Sequence, residues 1–270
     1  MEVKLEKVSF AYGNTSKDIL NNISLSFHSG ERIAIIGQNG AGKTTLIKQI
    51  NGMIKPTSGK ITIDGVNVAD RSTAEWAHKI GYVFQNPNDQ LFLDTVKKEL
   101  LFGIKNDQLS NEIITKRLDK VAFLTGLTEK LQKHPLDLTN LDKKFCAIGS
   151  VLMMNPDLII LDEPTGGQDY QGIRRLAHLI KDMHESRKLC IAVSHDMKFV
   201  AENFDRIIVL NKGRVVLDGT PSQVFSCTEE LAKAAITIPP LMKLSRTLEW
   251  PDTILRQQDF ISEFIKRRKT

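Results

Sequence analysis

The sequence predicts an α/β fold: a parallel-sheet core under helices on both faces, joined to an antiparallel β-subdomain and an α-helical subdomain. Three observations predict it. Four short runs, residues 33–36, 158–161, 189–193 and 207–210, are apolar without a break, so each reads as a strand covered on both faces. Residues 3–28 alternate loosely between apolar and polar positions, which reads as antiparallel strands with one wet face. The first apolar run passes directly into a glycine-rich loop, Gly37-Gln38-Asn39-Gly40-Ala41-Gly42-Lys43-Thr44, and then into Thr45-Leu46-Ile47-Lys48, which reads as a helix.

That strand, loop and helix carry the spacing G-x-x-x-x-G-K-T of a phosphate-binding loop, which makes the core that of a P-loop NTPase. Glycine lets the backbone wrap closely around oxygen atoms. Successive N–H groups then point inward, and the helix N-terminus adds partial positive charge. Lys43 is placed to reach the β- and γ-phosphates, and the Thr44 hydroxyl to ligate Mg²⁺. Residues Gly37 to Thr45 are therefore the expected phosphate cradle.

Taken in order, the first two strands are separated by the turn signal Gly13-Asn14, with Tyr12 at the loop end where its ring could stack on a purine. Pro56-Thr57-Ser58-Gly59 predicts a turn, Lys60 to Gly65 an alternating strand, and Ile80 to Phe84 a strand ending at Gln85. A loop at Asn86-Pro87-Asn88-Asp89 follows, and Asp94-Thr95 can cap a helix over 96–102. Apolar positions at Ile113, Ile114, Leu118, Val121 and Leu124 predict a helix over 110–133. Asn211-Lys212-Gly213-Arg214 turns the chain into a last hairpin.

Chemistry collects at strand ends. Asp162 closes the second apolar run, where a carboxylate can hold Mg²⁺ directly or through water. Glu163, next to it, is placed to orient or deprotonate a water attacking the γ-phosphorus. His195, just past the third run, can donate to the γ-phosphate, and Gln85 offers an amide oxygen to Mg²⁺ or the attacking water.

Composition narrows the classes. With 41% hydrophobic and 26% charged residues the chain reads as an ordinary soluble protein, large enough for one domain and a small appendage. No apolar run approaches the roughly 18 residues of a membrane span, and Met1-Glu2-Val3-Lys4 lacks signal-peptide features. Cys146, Cys190 and Cys227 show no zinc or redox spacing and read as packing residues in a reducing compartment. The net charge of +5 comes without a basic run interleaved with aromatics, so no nucleic-acid partner is expected.

In their order, Tyr12, the Gly37 to Thr44 loop, Gln85, residues 158–163, Asp169 and His195 resemble the ATP-binding cassette (ABC) family of ATPases across the first 225 residues. The resemblance implies ATP and Mg²⁺ as cofactors, and a head-to-tail dimer with ATP sandwiched at two interfaces. Each site would draw its loop, Gln85, Asp162, Glu163 and His195 equivalents from one subunit. The other subunit would add a signature loop, normally Leu-Ser-Gly-Gly-Gln. Thr139, Asn140, Asp142 and Asp169 stand at the positions expected to contact the partner's nucleotide.

Residues 85–92, Gln-Asn-Pro-Asn-Asp-Gln-Leu-Phe, are similar to the glutamine loop of energy-coupling factor ATPases of cobalt, nickel and vitamin uptake. The tail, residues 231–236 with Pro239, Leu241, Leu244 and Leu248, resembles that family's C-terminal pairing segment. The resemblance thus implies an ATPase domain over 1–225 with a helical subdomain at about 85–155, and a dimerising helical appendage over 226–270. It implies a peripheral ATPase on the cytoplasmic face of the cell membrane. A transmembrane coupling subunit would dock near residues 85–92, and a separate substrate-binding membrane subunit would choose the solute.

The signature position departs from the family: it reads Leu138-Thr139-Asn140-Leu141-Asp142. Asn140 and Leu141 replace two glycines, which keeps the backbone from approaching a phosphate as closely. Asp142 replaces a neutral amide. A carboxylate about 5 Å from a γ-phosphate costs on the order of 3 kcal/mol per unit charge at an effective dielectric of about 20, as an upper bound if it neither points away nor pairs with Lys143. Gly166-Gly167-Gln168 mimics a signature fragment but lies in the loop that holds Asp169. These changes fit either drift without consequence or a heterodimer, in which this chain supplies the sound phosphate loop and a second cassette supplies an intact signature. The basic end, Ile265-Lys266-Arg267-Arg268-Lys269-Thr270, reads as a solvated tail or a contact for anionic headgroups. Rival readings are the ATPase of an ordinary importer or exporter, a soluble ABC protein, and a non-hydrolysing ATP-gated adaptor.

Overall fold

Two sheets organise the chain in the computed structural model, which describes residues 1–13, 18–250 and 254–268. The first elements are β1 (Glu2–Phe10), β2 (Leu20–His28), β3 (Arg32–Ile36), α1 (Lys43–Ile50), β4 (Ser58–Ile63), β5 (Val66–Asn67), α2 (Thr73–Trp76) and β6 (Ile80–Val83). Three helices follow, α3 (Val96–Phe102), α4 (Asn111–Thr125) and α5 (Asn140–Met153). The core then resumes with β7 (Leu158–Asp162), α6 (Tyr170–Glu185), β8 (Leu189–Val193), α7 (Met197–Asn203), β9 (Arg206–Asn211) and β10 (Arg214–Gly219). The chain ends in α8 (Pro221–Ser226), α9 (Thr228–Lys233), α10 (Pro240–Thr247) and α11 (Gln257–Arg268).

The large sheet has the order β10-β9-β3-β8-β7-β6. All its neighbours run parallel except the β9–β10 hairpin. The small sheet, β2-β1-β4-β5, is antiparallel throughout. The unbroken apolar runs have a simple cause: the large sheet has a core on each face. Ile33, Ile35, Leu158, Ile160 and Ile191 point into one cluster with Leu46 and Ile50 of α1 and with the small sheet. Ala34, Ile36, Ile159, Leu161 and Cys190 point the other way, onto Phe145 of α5, Leu176 of α6 and Phe199 of α7. Each fully buried Ile or Leu stabilises the fold by about 1.5–3 kcal/mol. A third cluster ties α3, α4 and α5 together through Leu100, Val121 and Cys146.

Local chemistry sets the boundaries, and three differ from expectation. The helix expected over 110–133 stops at Thr125. Gly126 takes φ 69°, and its N–H closes on the carbonyls of Ala122 and Phe123, the ordinary glycine stop; only a short 3₁₀ turn, Thr128–Lys130, follows. The turn expected at 56–59 gives way two residues early, because Ser58 already pairs with Ser9 of β1. Residues 265–268 of the basic end belong to α11 rather than to a free tail; Arg267 pairs with Glu263 and lies over the Trp250 ring. Helix α3 begins where its cap was expected, with the Thr95 hydroxyl accepting from the Lys98 N–H. Asn14 of the expected turn, and Lys269 and Thr270, lie outside the described residues.

The last helices pack on the core they follow. Leu231, Ala234, Met242 and Leu255 join the cluster of Leu176 and Phe199, whereas Leu244, Leu248, Ile261, Phe264 and Ile265 remain exposed. No helix among the described residues is long and apolar enough to cross a membrane.

Candidate active site

The loop between β3 and α1 sits at the end of a central strand flanked by β9 and β8, so its shape is set from both sides. Gly37 has φ 158°, and a Cβ there would lie 2.3 Å from the Leu210 carbonyl oxygen. Gly42, at φ 103° just before α1, would press a Cβ onto Leu20 Cδ2 at 2.8 Å. Both glycines are therefore demanded by the protein's own packing; the expectation that ligand approach demands them is refined accordingly. The Ala41 N–H closes the loop onto the Gln38 carbonyl at 3.1 Å, and the Ala41 carbonyl accepts from the Gly213 N–H at 3.1 Å.

Lys43 lies under this loop. Its ammonium donates to the carbonyls of Gly37 at 2.7 Å and Gln38 at 3.2 Å, and stands 3.3 Å from His195 Nε2. Burial holds its pKa below the usual lysine range, while the charges of Glu163 and Asp162 act the other way.

Glu163 follows β7 in a left-handed backbone, φ 47°, which its N–H bond to the Val193 carbonyl helps to hold. Its Oε1 is 3.1 Å from His195 Nε2. Burial raises the Glu163 pKa, and burial together with Lys43 lowers that of His195. A neutral imidazole can use Nε2 either to donate to Glu163 or to accept from Lys43, so the two contacts are alternatives.

Asp162 ends β7 and is buried. The Tyr82 hydroxyl donates to its Oδ2 at 2.8 Å. Its Oδ1 is also buried and meets no hydrogen-bond partner among the described residues. Burial raises the Asp162 pKa; Tyr82 and the cations of Lys144, Lys48 and Lys43 oppose the rise. A buried carboxylate oxygen with open valence is a hard donor of the kind that fits Mg²⁺, and Thr44 and Gln85 carry further oxygen donors.

One cleft of about 490 Å³ gathers Lys43, Thr44, Gln85, Glu163 and His195; the buried Asp162 and Tyr82 are not on its lining. Asn39, Gly40, Gly42, Lys43, Thr44 and Thr45 line it together with Gln85, Glu163 and His195. Tyr12 is half exposed on the rim, its ring edge-on to Phe10 at 4.7 Å. Gly37, Gln38 and Ala41 are not on the lining; their backbone groups hold the loop's shape through Lys43 and Gly213.

Thr139, Asn140, Asp142 and Asp169 do not line this cleft. Thr139 caps α5, accepting from the Asp142 N–H at 3.1 Å and donating to Asp142 Oδ2 at 2.9 Å. The same Oδ2 takes Lys130 Nζ at 2.7 Å, so the partner of Asp142 is Lys130, not Lys143. Asp142 is thus turned inward, and the repulsion expected of an outward carboxylate is corrected by this burial. Leu141 is folded back onto α6: a Cβ added to Gly172 would meet Leu141 Cδ1 at 2.8 Å. Asp169 caps α6, its Oδ1 accepting from the Gly172 N–H at 2.7 Å.

Sequence reasoning missed two residues. Tyr82 was signalled only as a hydroxyl in an otherwise apolar strand. Lys144, on an apolar helix face, is buried and donates to the carbonyls of Phe84 and Gln85; burial pushes its pKa down to about 8, against the pull of Asp162 and Glu163. A second, largely apolar cleft of about 240 Å³ runs past Phe92, Phe102 and Met154.

With this geometry in view, the likeness to known proteins is specific. The family described as "ABC transporter" matches residues 20–166. The chain is 39% identical over 255 residues to the energy-coupling factor transporter ATP-binding protein EcfA2 of Caldanaerobacter subterraneus subsp. tengcongensis, covering 92% of this chain and 89% of that one. It is 40% identical over 239 residues to an ABC transporter ATP-binding protein of Methanosarcina mazei, but spans only 40% of that protein's length. The structure of cbiO1 from Clostridium perfringens, described as part of the ABC transporter complex cbiONQ, superimposes with a TM-score of 0.78 at 33% identity, covering 92% of this chain and 98% of that one. The chain belongs to the ABC transporter family, as one of its ATP-binding cassettes.

Proposed function

We propose that this chain hydrolyses ATP to drive uptake of a vitamin or transition-metal ion through membrane partner subunits, as one half of an unlike pair of cassettes. The observation that carries the reading is the cleft in which Lys43, Thr44, Gln85, Glu163 and His195 converge, with the buried Asp162 preceding Glu163 in the chain. The adenine stacks on Tyr12 and the phosphates lie along Gly37 to Thr45. Thr44, Asp162 and Gln85 would hold Mg²⁺, which would neutralise charge developing on the phosphates. Glu163 orients and deprotonates the attacking water, a role suited to its raised pKa. His195 donates to the γ-phosphate.

The other composite site is weaker in this reading. Thr139 spends its hydroxyl proton on Asp142, and Leu141 is committed to α6, so the α5 terminus has little to offer a neighbour's nucleotide. Asp169 would meet the partner cassette across the seam. The apolar cleft at Phe92 and Phe102 suits a segment of a transmembrane coupling subunit, which would hold the chain on the cytoplasmic face of the membrane beside a substrate-binding subunit. The exposed Leu244, Leu248, Ile261 and Phe264 suit pairing between cassettes through the 226–270 appendage. The names of the EcfA2 relative and of the cbiONQ complex support this assignment over an ordinary importer or exporter.

The test is to purify the chain from membranes with whatever accompanies it and measure phosphate release. A second, different cassette and membrane subunits are expected. A homodimer of this chain alone with full turnover overturns the unlike pair.

A further inference from the structure

Helix α5 is tied to a residue of the cleft through Lys144, not through its N-terminus. Lys144 is 2% exposed, yet its side chain crosses from α5 to the end of β6. There its ammonium donates to the Gln85 carbonyl at 2.5 Å and to the Phe84 carbonyl at 3.3 Å. The same loop is gripped again further on. Gln90 accepts from the Phe84 N–H at 3.2 Å and donates to the Ala147 carbonyl of α5 at 2.8 Å. Buried Glu99 of α3 takes the N–H groups of both Phe92 and Leu93. Between these fastenings Gln85 is exposed to the cleft.

The fastening at Lys144 differs from the other two in kind. Its gripping group is a cationic donor, it bonds the backbone of Gln85 itself, and it lies in the field of Asp162 and Glu163. A buried ammonium is retained only where acceptors and opposite charge compensate its lost hydration. Here those compensating groups are the loop and the acidic pair, so loop, α5 and β7 end share one cation. We propose that Lys144 is a positioning residue for ATP hydrolysis: its ammonium ties the Gln85 loop to α5 and so sets where the Gln85 amide stands in the cleft. The proposal rests on the reading of Gln85 as a residue that faces the phosphates. It makes a shift of α5 a shift of Gln85, without any contact between Lys144 and nucleotide. Nucleotide affinity is left in this reading to Tyr12, Lys43 and Thr44.

The experiment compares Lys144→Met, Lys144→Arg and Gln85→Ala in the ATPase complex purified with its membrane partners, and follows amide hydrogen exchange in the same complexes. Lys144→Met is expected to lower kcat about 10-fold with KM for MgATP within about two-fold, because misplacing a participating group is felt in turnover. Exchange over residues 84–92 should quicken while residues 158–163 stay protected. Lys144→Arg, which restores charge and donors, should recover most of kcat. If the methionine variant does not fold, Lys144→Gln, which keeps one donor, is read in the same assays. Unchanged kcat and unchanged exchange over 84–92 overturn the proposal, as does an arginine that recovers nothing. Full kcat in Gln85→Ala overturns the reading of Gln85 beneath it, and the proposal with it.

Discussion

Thr139 and Asp142 exchange two hydrogen bonds, the Asp142 N–H to Thr139 Oγ1 at 3.1 Å and the Thr139 hydroxyl to Asp142 Oδ2 at 2.9 Å, and Lys130 locks the same carboxylate at 2.7 Å. Helix α5 is therefore capped by its own residues at the end where a partner's nucleotide would approach.

Replacing Lys130 by methionine leaves a buried carboxylate without its cation. Lys130 is about one-third exposed, so solvent screens part of the loss. The expected destabilisation is about 1–3 kcal/mol in urea unfolding, below the larger penalties of wholly buried pairs. An unchanged unfolding midpoint would show that the ion pair contributes nothing.

Glu163→Gln keeps the shape of the site and removes the proposed base. Turnover in the purified complex should fall by roughly 10²–10⁴-fold, with ATP binding to the chain retained. Retention of more than half the wild-type rate would remove Glu163 from the chemistry.

Tyr82→Phe deletes the donor that orients Asp162 and helps keep it ionised. Loss of such a supporting bond weakens metal sites by roughly 10-fold or more. The Mg²⁺ concentration for half-maximal turnover should rise by about that factor, while ATP-saturated turnover at high Mg²⁺ largely recovers. A variant with the wild-type Mg²⁺ dependence would argue that Asp162 does not hold the metal.

Burial pushes the thiols of Cys146 and Cys190 up to about 12, whereas Cys227 is only half buried. Iodoacetamide at pH 8 should label Cys227 alone in the folded chain and all three after unfolding. Labelling at Cys190 in the folded chain would mean that the sheet opens far more readily than its packing suggests.

The large sheet was legible because a strand packed on both faces must be apolar at every position, and the 33–36 and 158–161 runs are. The phosphate loop was legible because its spacing is local. Apolar spacing alone carries the α4 expectation past Gly126, the glycine at which the helix stops. The rest lay in contacts between distant residues. Tyr82 meets Asp162 across 80 positions, and Lys144 meets Gln85 across 59. Nothing near Asp142 in sequence distinguishes Lys130 from Lys143 as its partner; the 3₁₀ turn that ends at Lys130 decides it.

The left-handed peptide at Glu163 makes durability and work rivals at one residue. A glycine there would relax the backbone by about 1 kcal/mol and relieve the desolvated carboxylate, so selection for heat resistance alone should favour Glu163→Gly. On the proposed role of Glu163, such a winner would outlast its parent and hydrolyse nothing.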